Sequence, residues 1–313
     1  MKVSLIIPTY NRGEVLANTI DMALAQDYPD YEVIVVDQST SPSVNANQYA
    51  RYGDRIRFLT LPRPSMPGAR NAGVMAAHGE IVIFIDDDVV FGSDFVAGHV
   101  RGYDDPSVGG VTGLTCPARC TNDEEVMAEM CTLYALKAIP PAGTADVEWV
   151  VGCNSSYRRS LLLEAGLYDE RFKSQCDDSD ISVRVRQSGH RLLLDTRFRL
   201  IHLELKSGGA RNRDPRWNER ELDHMQSSLY FFIKHRHFIG FRQVVKESWW
   251  IYRKYGLNSR ILRHGARAAL KRQFAYVAAV ARAFFWSATP ARPAATDIVP
   301  DPSCRREAPI NAA

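Results

Sequence analysis

The sequence predicts an α/β layered domain on a mostly parallel sheet, followed by a basic helical extension. Three observations predict it. Short, continuously apolar, β-branched runs at residues 3–7, 32–36 and 81–85 suit strands buried on both faces of a sheet. Helical periodicity falls between these runs, and strand alternating with helix is the pattern of an α/β domain. Residues 234–286 carry twelve Lys or Arg against the single acid Glu247, a local net of +11, whereas the 313-residue chain totals only +3. The remainder therefore carries −8, and a basic segment on an acidic body calls for an anionic partner surface. At 45% hydrophobic and 24% charged the chain can bury a sizeable core, which excludes disorder for most of its length.

The first strand, residues 3–7, ends at Pro8, and a helix is expected over 14–26. A second strand at 32–36 ends at Asp37, and a third is expected at 56–59. An Ala-rich helix over 70–78 is closed by Gly79, and a strand at 81–85 runs directly into Asp86-Asp87-Asp88. Beyond Val108 the periodicity weakens. A strand is expected at 110–114, a helix at 124–137, short helices at 160–165 and 180–188, and a strand at 191–195. The Gly-, Asn- and Arg-rich stretch 206–218 reads as a mobile loop, 219–286 as helical, and the Pro- and Ala-rich 287–313 as a disordered tail.

The six cysteines form no CxxC pair and have no histidine placed to complete a zinc quartet; Cys116 and Cys120 have ligand spacing but read as lone thiols in a reducing compartment. The amino terminus has neither the length nor the flanks of a signal peptide or anchor, so a cytoplasmic protein is expected. Spanning a membrane takes about 18 consecutive apolar residues, and the longest approach, 274–286, is broken by Arg282. Any membrane contact is expected to be peripheral.

In open α/β sheets ligands bind beyond the carboxyl ends of the strands. Pro8-Thr9-Tyr10-Asn11-Arg12, Asp37-Gln38-Ser39 and Asp86-Asp87-Asp88 all fall at such ends. Adjacent carboxylates repel unless a cation offsets them, and hard oxygen ligands select Mg²⁺ or Mn²⁺ shared with a substrate's phosphates. The bland alternative is that they cap a helix or solvate a turn. Neither GxGxxG nor GxxxxGK[ST] is present, which removes the main support for dehydrogenase and nucleotide triphosphatase readings. Asp37 can accept hydrogen bonds from a base or ribose, and Arg70, expected to open a helix beside the crevice, can meet a phosphate or hold an aspartate.

With these motifs in view, the chain resembles the family 2 glycosyltransferases, inverting enzymes of the GT-A fold. Seven ordered segments over residues 3–203 carry the match: 7–12, 35–39, 68–73, 84–88, 152–159, 166–172 and 176–181, with His202 where the family has a histidine after the domain's last strand. The resemblance implies a Rossmann-like mixed sheet flanked by helices over residues 1–205; charge and composition add a basic amphipathic extension over 206–286 and the tail 287–313. It implies nucleotide contacts from Pro8, Thr9, Tyr10, Arg12, Asp37, Arg70, Asp86 and Asp87, with Asp37 facing the base. It implies a cation, Mn²⁺ or Mg²⁺, at Asp86, Asp88 and His202, with Asp88 its foremost ligand, and Asp178 as general base. Trp149 either stacks on a sugar ring or fills the core; Asn154 and Asp177 are further candidate acceptor or sugar contacts. Two departures stand out. The base-binding loop reads Val36-Asp37-Gln38-Ser39 where many members have paired acids, and Asp177 stands where Glu is commoner.

In single displacement an acceptor hydroxyl attacks the anomeric carbon as the nucleoside diphosphate departs, so one carboxylate takes a proton and a cation stabilises the leaving group. Asp178, in a loop before the 180–188 helix, and the 86–88 cluster supply both. The expected donor is UDP-, dTDP- or GDP-linked, and the acceptor a glycan or lipid-linked hydroxyl in bacterial surface-polysaccharide or glycolipid synthesis. A polyprenyl-phosphate sugar synthase and a sugar-nucleotide-binding protein without turnover are the alternatives. Aromatic and basic clusters alternate through 231–286, as on interfacial helices at an anionic membrane; packing on the catalytic domain is the competing reading. Nucleic acid is not expected, since no binding motif appears and the −8 body opposes it.

Overall fold

The computed structural model describes residues 1–39, 49–134, 136–173, 175–205, 217–256, 266–289 and 299–300. Of the loop expected at 206–218, residues 206–216 lie outside the described residues, as does most of the tail, and Trp217 and Asn218 open a helix.

Strands β1 (Val3–Thr9), β2 (Tyr31–Asp37), β3 (Ile56–Thr60) and β4 (Ile81–Ile85) form a parallel half-sheet in the order β3-β2-β1-β4. Alternate side chains divide between two cores. Ile6, Ile34, Val36, Val82 and Phe84 face one, while Leu5, Ile7, Val33, Val35 and Ile83 face the other. Burial on both faces is why these strands read as unbroken apolar runs. Helix α1 (Glu14–Ala23) covers one face through Leu16 and Ile20, and α2 (Met66–Ala76) covers the other through Ala69 and Ala72.

The second half of the sheet is mixed. Past β5 (Val89–Phe91) and α3 (Phe95–Arg101), β6 (Val108–Pro117), β7 (Thr144–Val147), β8 (Asn154–Arg158) and β9 (Arg191–His202) extend it. β8 lies antiparallel between β4 and β6, and β9 runs parallel to β6 and antiparallel to β5 and β7. β5, β7 and β8 are not expected from the sequence: three or four residues are too few for periodicity to register, and Asn154-Ser155-Ser156-Tyr157-Arg158 carries no apolar run. β9 runs seven residues past its expected end, its Arg197 and Arg199 facing out between buried neighbours. Helices α4 (Asp123–Tyr134), α5 (Arg159–Glu164) and α6 (Asp177–Gln187) complete the layers.

Two boundary shifts bear on the site. α2 begins at Met66 because the Ser65 hydroxyl accepts from the Gly68 N–H at 3.1 Å, which places Arg70 in the second turn and not at the helix start. α6 begins at Asp177, so Asp178 stands in its first turn and not in a preceding loop.

Asn154 illustrates how burial reassigns a residue. Its side chain is fully buried, donates to the Leu114 carbonyl and the Thr115 hydroxyl, and faces Nε2 of the equally buried His99 at 3.2 Å. It ties β8 to β6 and α3, so the polar atoms expected to meet an acceptor or sugar are engaged inside the sheet. His99, flanked by Phe95 and Phe198, is held neutral: burial lowers its pKa to about 3. An unfolded imidazole titrates near 6.5, so between those values the unfolded chain binds the extra proton and stability falls on acidification, by about 1.4 kcal/mol per pH unit. Because groups common to both proteins also titrate in this window, the test is the difference: in chemical denaturation at pH 7.5 and pH 5, acidification should cost the native protein more stability than it costs His99→Gln, and equal changes in the two would reject the neutral buried imidazole.

The extension consists of α7 (Trp217–Lys234), α8 (Arg236–Ile239), α9 (Phe241–Ile251), a π-helical turn at Tyr252–Gly256 and α10 (Ala266–Ala288). Met225, Leu229, Tyr230, Ile233, Ile251, Ala279 and Ala283 form its core and close over Phe172 of the α/β layers. Within the segment expected to be a tail, Val299–Pro300 (β10) pairs antiparallel with β3. Among the described residues no helix is long and apolar enough to cross a membrane.

Candidate active site

The chain leaves β1 for β2 on one side and returns to β4 on the other, so the switch point lies between β1 and β4. Thr9 is in register with Asp37 at the carboxyl ends of β1 and β2, and Asp86 follows β4 beside them. The sheet thus gathers the three acidic or polar strand ends into one crevice, as the motifs require.

The floor of the crevice is tied together by its own side chains. The Thr9 hydroxyl donates to Asp87 Oδ2 at 2.7 Å, Arg12 Nε lies 3.2 Å from Asp87 Oδ1, and Arg12 Nη2 donates to Asp88 Oδ2 at 3.1 Å. Thr9, Arg12, Asp87 and Asp88 are all buried, as is Pro8. Burial pushes the Asp87 carboxyl up to about 7 despite Arg12 and Thr9. The side chains of Thr9, Arg12 and Asp87, expected to contact the nucleotide, are engaged with one another and with Asp88 and so hold the Asp86–Asp88 turn in shape. Tyr10 is half-exposed on the rim. Asp37 is buried, with Oδ1 accepting from the Ser39 N–H at 2.8 Å.

Above the floor, His202 Nε2 lies 3.4 Å from Asp86 Oδ2 and 3.3 Å from Asp88 Oδ1. Burial alone would lower the imidazole's pKa, yet the two carboxylates raise it to about 9. Burial also opposes ionisation of Asp88, and His202 and Arg12 nevertheless hold it below the usual carboxylate range. The second oxygen of Asp88 is taken by Arg12 and by the Leu205 N–H at 3.1 Å, which leaves Oδ1 facing His202. Oxygen and imidazole donors of this kind fit a divalent cation.

The opposite wall is the first turn of α6. Asp177 is buried and pairs with Arg70 Nη1 at 2.5 Å. Asp180 is fully buried, accepts from Arg184, and lies 2.8 Å from His235 Nε2 and 2.6 Å from Lys234 Nζ. Asp178 alone of the three is partly exposed, and among the described residues its carboxylate accepts from the Gly152 N–H at 3.2 Å and the Ser179 N–H at 2.8 Å. Its carboxylate is thus oriented by backbone donors on both oxygens. Asp177, expected to contact acceptor or sugar, anchors Arg70. That guanidinium lies over the Tyr168 ring at 5.3 Å; burial would lower its pKa, but Asp177 first, then Tyr168, Asp178 and Asp86, hold it raised. A Cβ on Gly152 would run into Arg70, so only glycine lets the backbone approach closely enough to donate to Asp178. Trp149 is partly buried against the core. Asn11, Cys176 and Glu204, with φ of 54°, 69° and 53°, border this region, where left-handed backbone in non-glycine residues stores strain.

Cys153 went unnoticed among the site residues. It follows Gly152, and its sulfur, one Asp86 oxygen and one His202 nitrogen all lie within 4.8 Å of one another. Sequence spacing carries no signal for this, because the three come from different strands.

A mixed sheet with an acidic crevice at its switch point defines a class, the GT-A glycosyltransferases. The sequence model of glycosyl transferase family 2 matches residues 4–165, just over half the chain, and the protein belongs to that family. It is 29% identical over 226 residues to the O-antigen biosynthesis protein RfbC of Myxococcus xanthus, an alignment covering 67% of this chain and 18% of that protein. It is 25% identical over 218 residues to the glucosyl-dolichyl phosphate glucuronosyltransferase of Haloferax volcanii, covering 64% of this chain and 69% of that one. Among solved structures, the mannosyltransferase PcManGT of Pyrobaculum calidifontis, in complex with GDP-Man and Mn²⁺, superposes with a TM-score of 0.57 at 21% identity over 92% of this chain and 88% of its own. TarS of S. aureus with UDP-GlcNAc gives 0.62 at 16% identity, over 92% and 82%. At such identities the structures establish the shared fold.

Proposed function

We propose that the protein transfers a sugar, with inversion, from a nucleotide-sugar to a hydroxyl acceptor in the synthesis of a bacterial surface glycan. The observation that carries this reading is the division of labour on α6: Asp177 and Asp180 are engaged by cations, while Asp178 is held by two backbone amides and faces out. A carboxylate so placed can take the acceptor's proton. Asp37 and the β1 end receive the nucleoside, and Arg70 stands near the diphosphate; its Nε makes no hydrogen bond among the described residues. Asp86 and His202, with Asp88 Oδ1, would hold the divalent cation, which when bound stabilises charge on the leaving diphosphate. The names of the relatives, O-antigen biosynthesis protein and glucuronosyltransferase, support the polysaccharide or lipid-linked assignment.

The test is a panel of UDP-, dTDP- and GDP-sugars offered with hydroxyl acceptors, monitoring nucleoside diphosphate release and the product's anomeric configuration by NMR. Transfer with retained configuration, or none with any donor, would overturn the reading. Before turnover is assayed, the matching nucleotide with Mn²⁺ should raise the melting temperature. At a hundredfold excess over Kd the stabilisation is about 2.7 kcal/mol, or roughly 5–10 °C for a chain of this size. EDTA should abolish most of that shift, and indifference to chelation would exclude the cation from nucleotide binding.

The extension supports a second element of the proposal, peripheral binding to anionic membrane. Trp249, Trp250, Phe274 and Phe285 are each more than half exposed, on helices whose sequences also include Arg242, Lys246, Arg267, Lys271, Arg272 and Arg282. Aromatics with Lys and Arg on surface helices match the requirements of a lipid interface. Flotation with vesicles containing anionic phospholipid should recover the protein, and Trp249→Ala/Trp250→Ala should weaken recovery. Equal recovery with neutral vesicles, or none with either, would reduce the extension to a packing element.

A further inference from the structure

We propose that Cys153 turns the Asp86–His202 pair into a mixed oxygen, sulfur and nitrogen site that takes thiophilic divalent cations, Zn²⁺ and Co²⁺, in preference to Mg²⁺. The convergence is dictated by strand register. β4 and β8 are antiparallel with Ile85 opposite Asn154, so one step further along the ladder Asp86 meets Cys153. β5 and β9 are antiparallel with Val89 opposite His202, which delivers the imidazole to the same turn from the other side. Three chain segments that share no local motif thus place a carboxylate, a thiol and an imidazole within 4.8 Å of one another. The spacing suits a small cation: His202 Nε2 and Asp86 Oδ2 are 3.4 Å apart, close to the roughly 3.3 Å between ligands of a tetrahedral zinc with bonds of about 2.0–2.1 Å.

The donor set decides the preference. Mg²⁺ takes oxygen ligands in near-octahedral geometry, whereas a thiolate favours zinc and its borderline neighbours. Asp86, Cys153 and His202 supply three protein ligands, the fourth tetrahedral position falling to Asp88 Oδ1, 3.3 Å from His202 Nε2, or to substrate, and the thiol would release its proton to solvent on ligation. Cys153 is continuous with Gly152, whose N–H holds Asp178, so occupation of the site is tied through one peptide unit to the proposed base. The assignment rests on the transferase reading only in taking the crevice as a cation site; its test is independent of turnover.

Titrating Co²⁺ into the full-length protein should produce a near-ultraviolet sulfur-to-cobalt charge-transfer band. Cys153→Ser should lose that band, and Cys116→Ser and Cys120→Ser should keep it. Zn²⁺ should bleach the band at near-stoichiometric concentration, and a large excess of Mg²⁺ should not. Absence of the band in the native protein, its survival in Cys153→Ser, or displacement by Mg²⁺ as readily as by Zn²⁺ would each overturn the proposal. Should the serine variant fail to fold, X-ray absorption on the cobalt-loaded native protein decides: a sulfur neighbour supports the site, and a purely oxygen and nitrogen shell overturns it. Sugar transfer by a protein without the band would refute the sulfur ligand alone; a band without transfer would refute the transferase reading alone.

Discussion

Asp178→Asn leaves nucleotide binding intact and lowers sugar transfer about 10²–10⁴-fold, the usual contribution of general acid–base catalysis. The amide is close to isosteric, but it cannot take a proton from an attacking hydroxyl. Its NH₂ must also face one of the two N–H donors, from Gly152 and Ser179, that the carboxylate accepts. Losing one of these bonds costs on the order of 1 kcal/mol, which the folded state tolerates. The effect should therefore appear in kcat, with little change in the melting temperature or in the nucleotide-induced shift. The same substitution separates hydroxyl from phosphate acceptors. A phosphate is already ionised and needs little base assistance, so undiminished turnover in Asp178→Asn would discard the base and favour the polyprenyl-phosphate sugar synthase reading.

How far the sequence foretold this site follows from where each signal resides. The parallel half-sheet was legible because residues 3–7, 32–36 and 81–85 are apolar at every position, and burial on both faces leaves no other reading. The strand-end motifs were legible for the same reason, since each begins where an apolar run stops. Individual roles were less so. Arg12, Asp87 and Asp177 are charged residues beside a crevice, and sequence cannot tell a charge aimed at a ligand from one aimed at a neighbouring counter-ion. That distinction depends on side-chain direction, which Thr9, Asp88 and Arg70 impose from other segments. Asn154 looked like a polar group near a substrate, but His99 and two β6 partners draw it inward. Cys153 was invisible because its partners are brought to it by the β4–β8 and β5–β9 registers, and no local spacing encodes those.

Lys234→Met should destabilise the protein by about 3–5 kcal/mol, lowering the melting temperature by roughly 6–15 °C. The ammonium bridges two buried carboxylates, Asp169 Oδ2 at 2.9 Å and Asp180 Oδ1 at 2.6 Å, and so fastens the helical extension to α6. Methionine replaces its packing but leaves each carboxylate short of one cation. Asp169 keeps Arg171 and the Tyr230 hydroxyl, and Asp180 keeps Arg184 and His235, so the loss should stop short of unfolding. The sign with pH follows from the directions of the shifts. Burial opposes ionisation of both aspartates, yet for Asp169 Lys234 and Arg171, and for Asp180 Arg184, His235 and Lys234, hold the carboxyls below their ordinary range. Their stabilisation is complete above the ordinary carboxylate pKa and is lost as pH falls through the depressed values, so the gap between variant and native protein should be widest at neutral pH and narrow in acid. A cycle with Asp169→Asn separates charge from packing. If the bridge is electrostatic, the double variant loses clearly less than the sum of the single losses, because removing the second partner relieves a buried charge already left short. Strict additivity would mean that Lys234 acts by packing alone, on the rings of Phe172 and Tyr230 that its ammonium overlies at 5.5 and 5.6 Å. Because Asp180 stands two residues from Asp178 on the same helical turn, the electrostatic case carries a further consequence: Lys234→Met should also lower kcat below the native value at temperatures well under its own melting point, whereas a variant weakened only in packing should keep its rate until it begins to unfold.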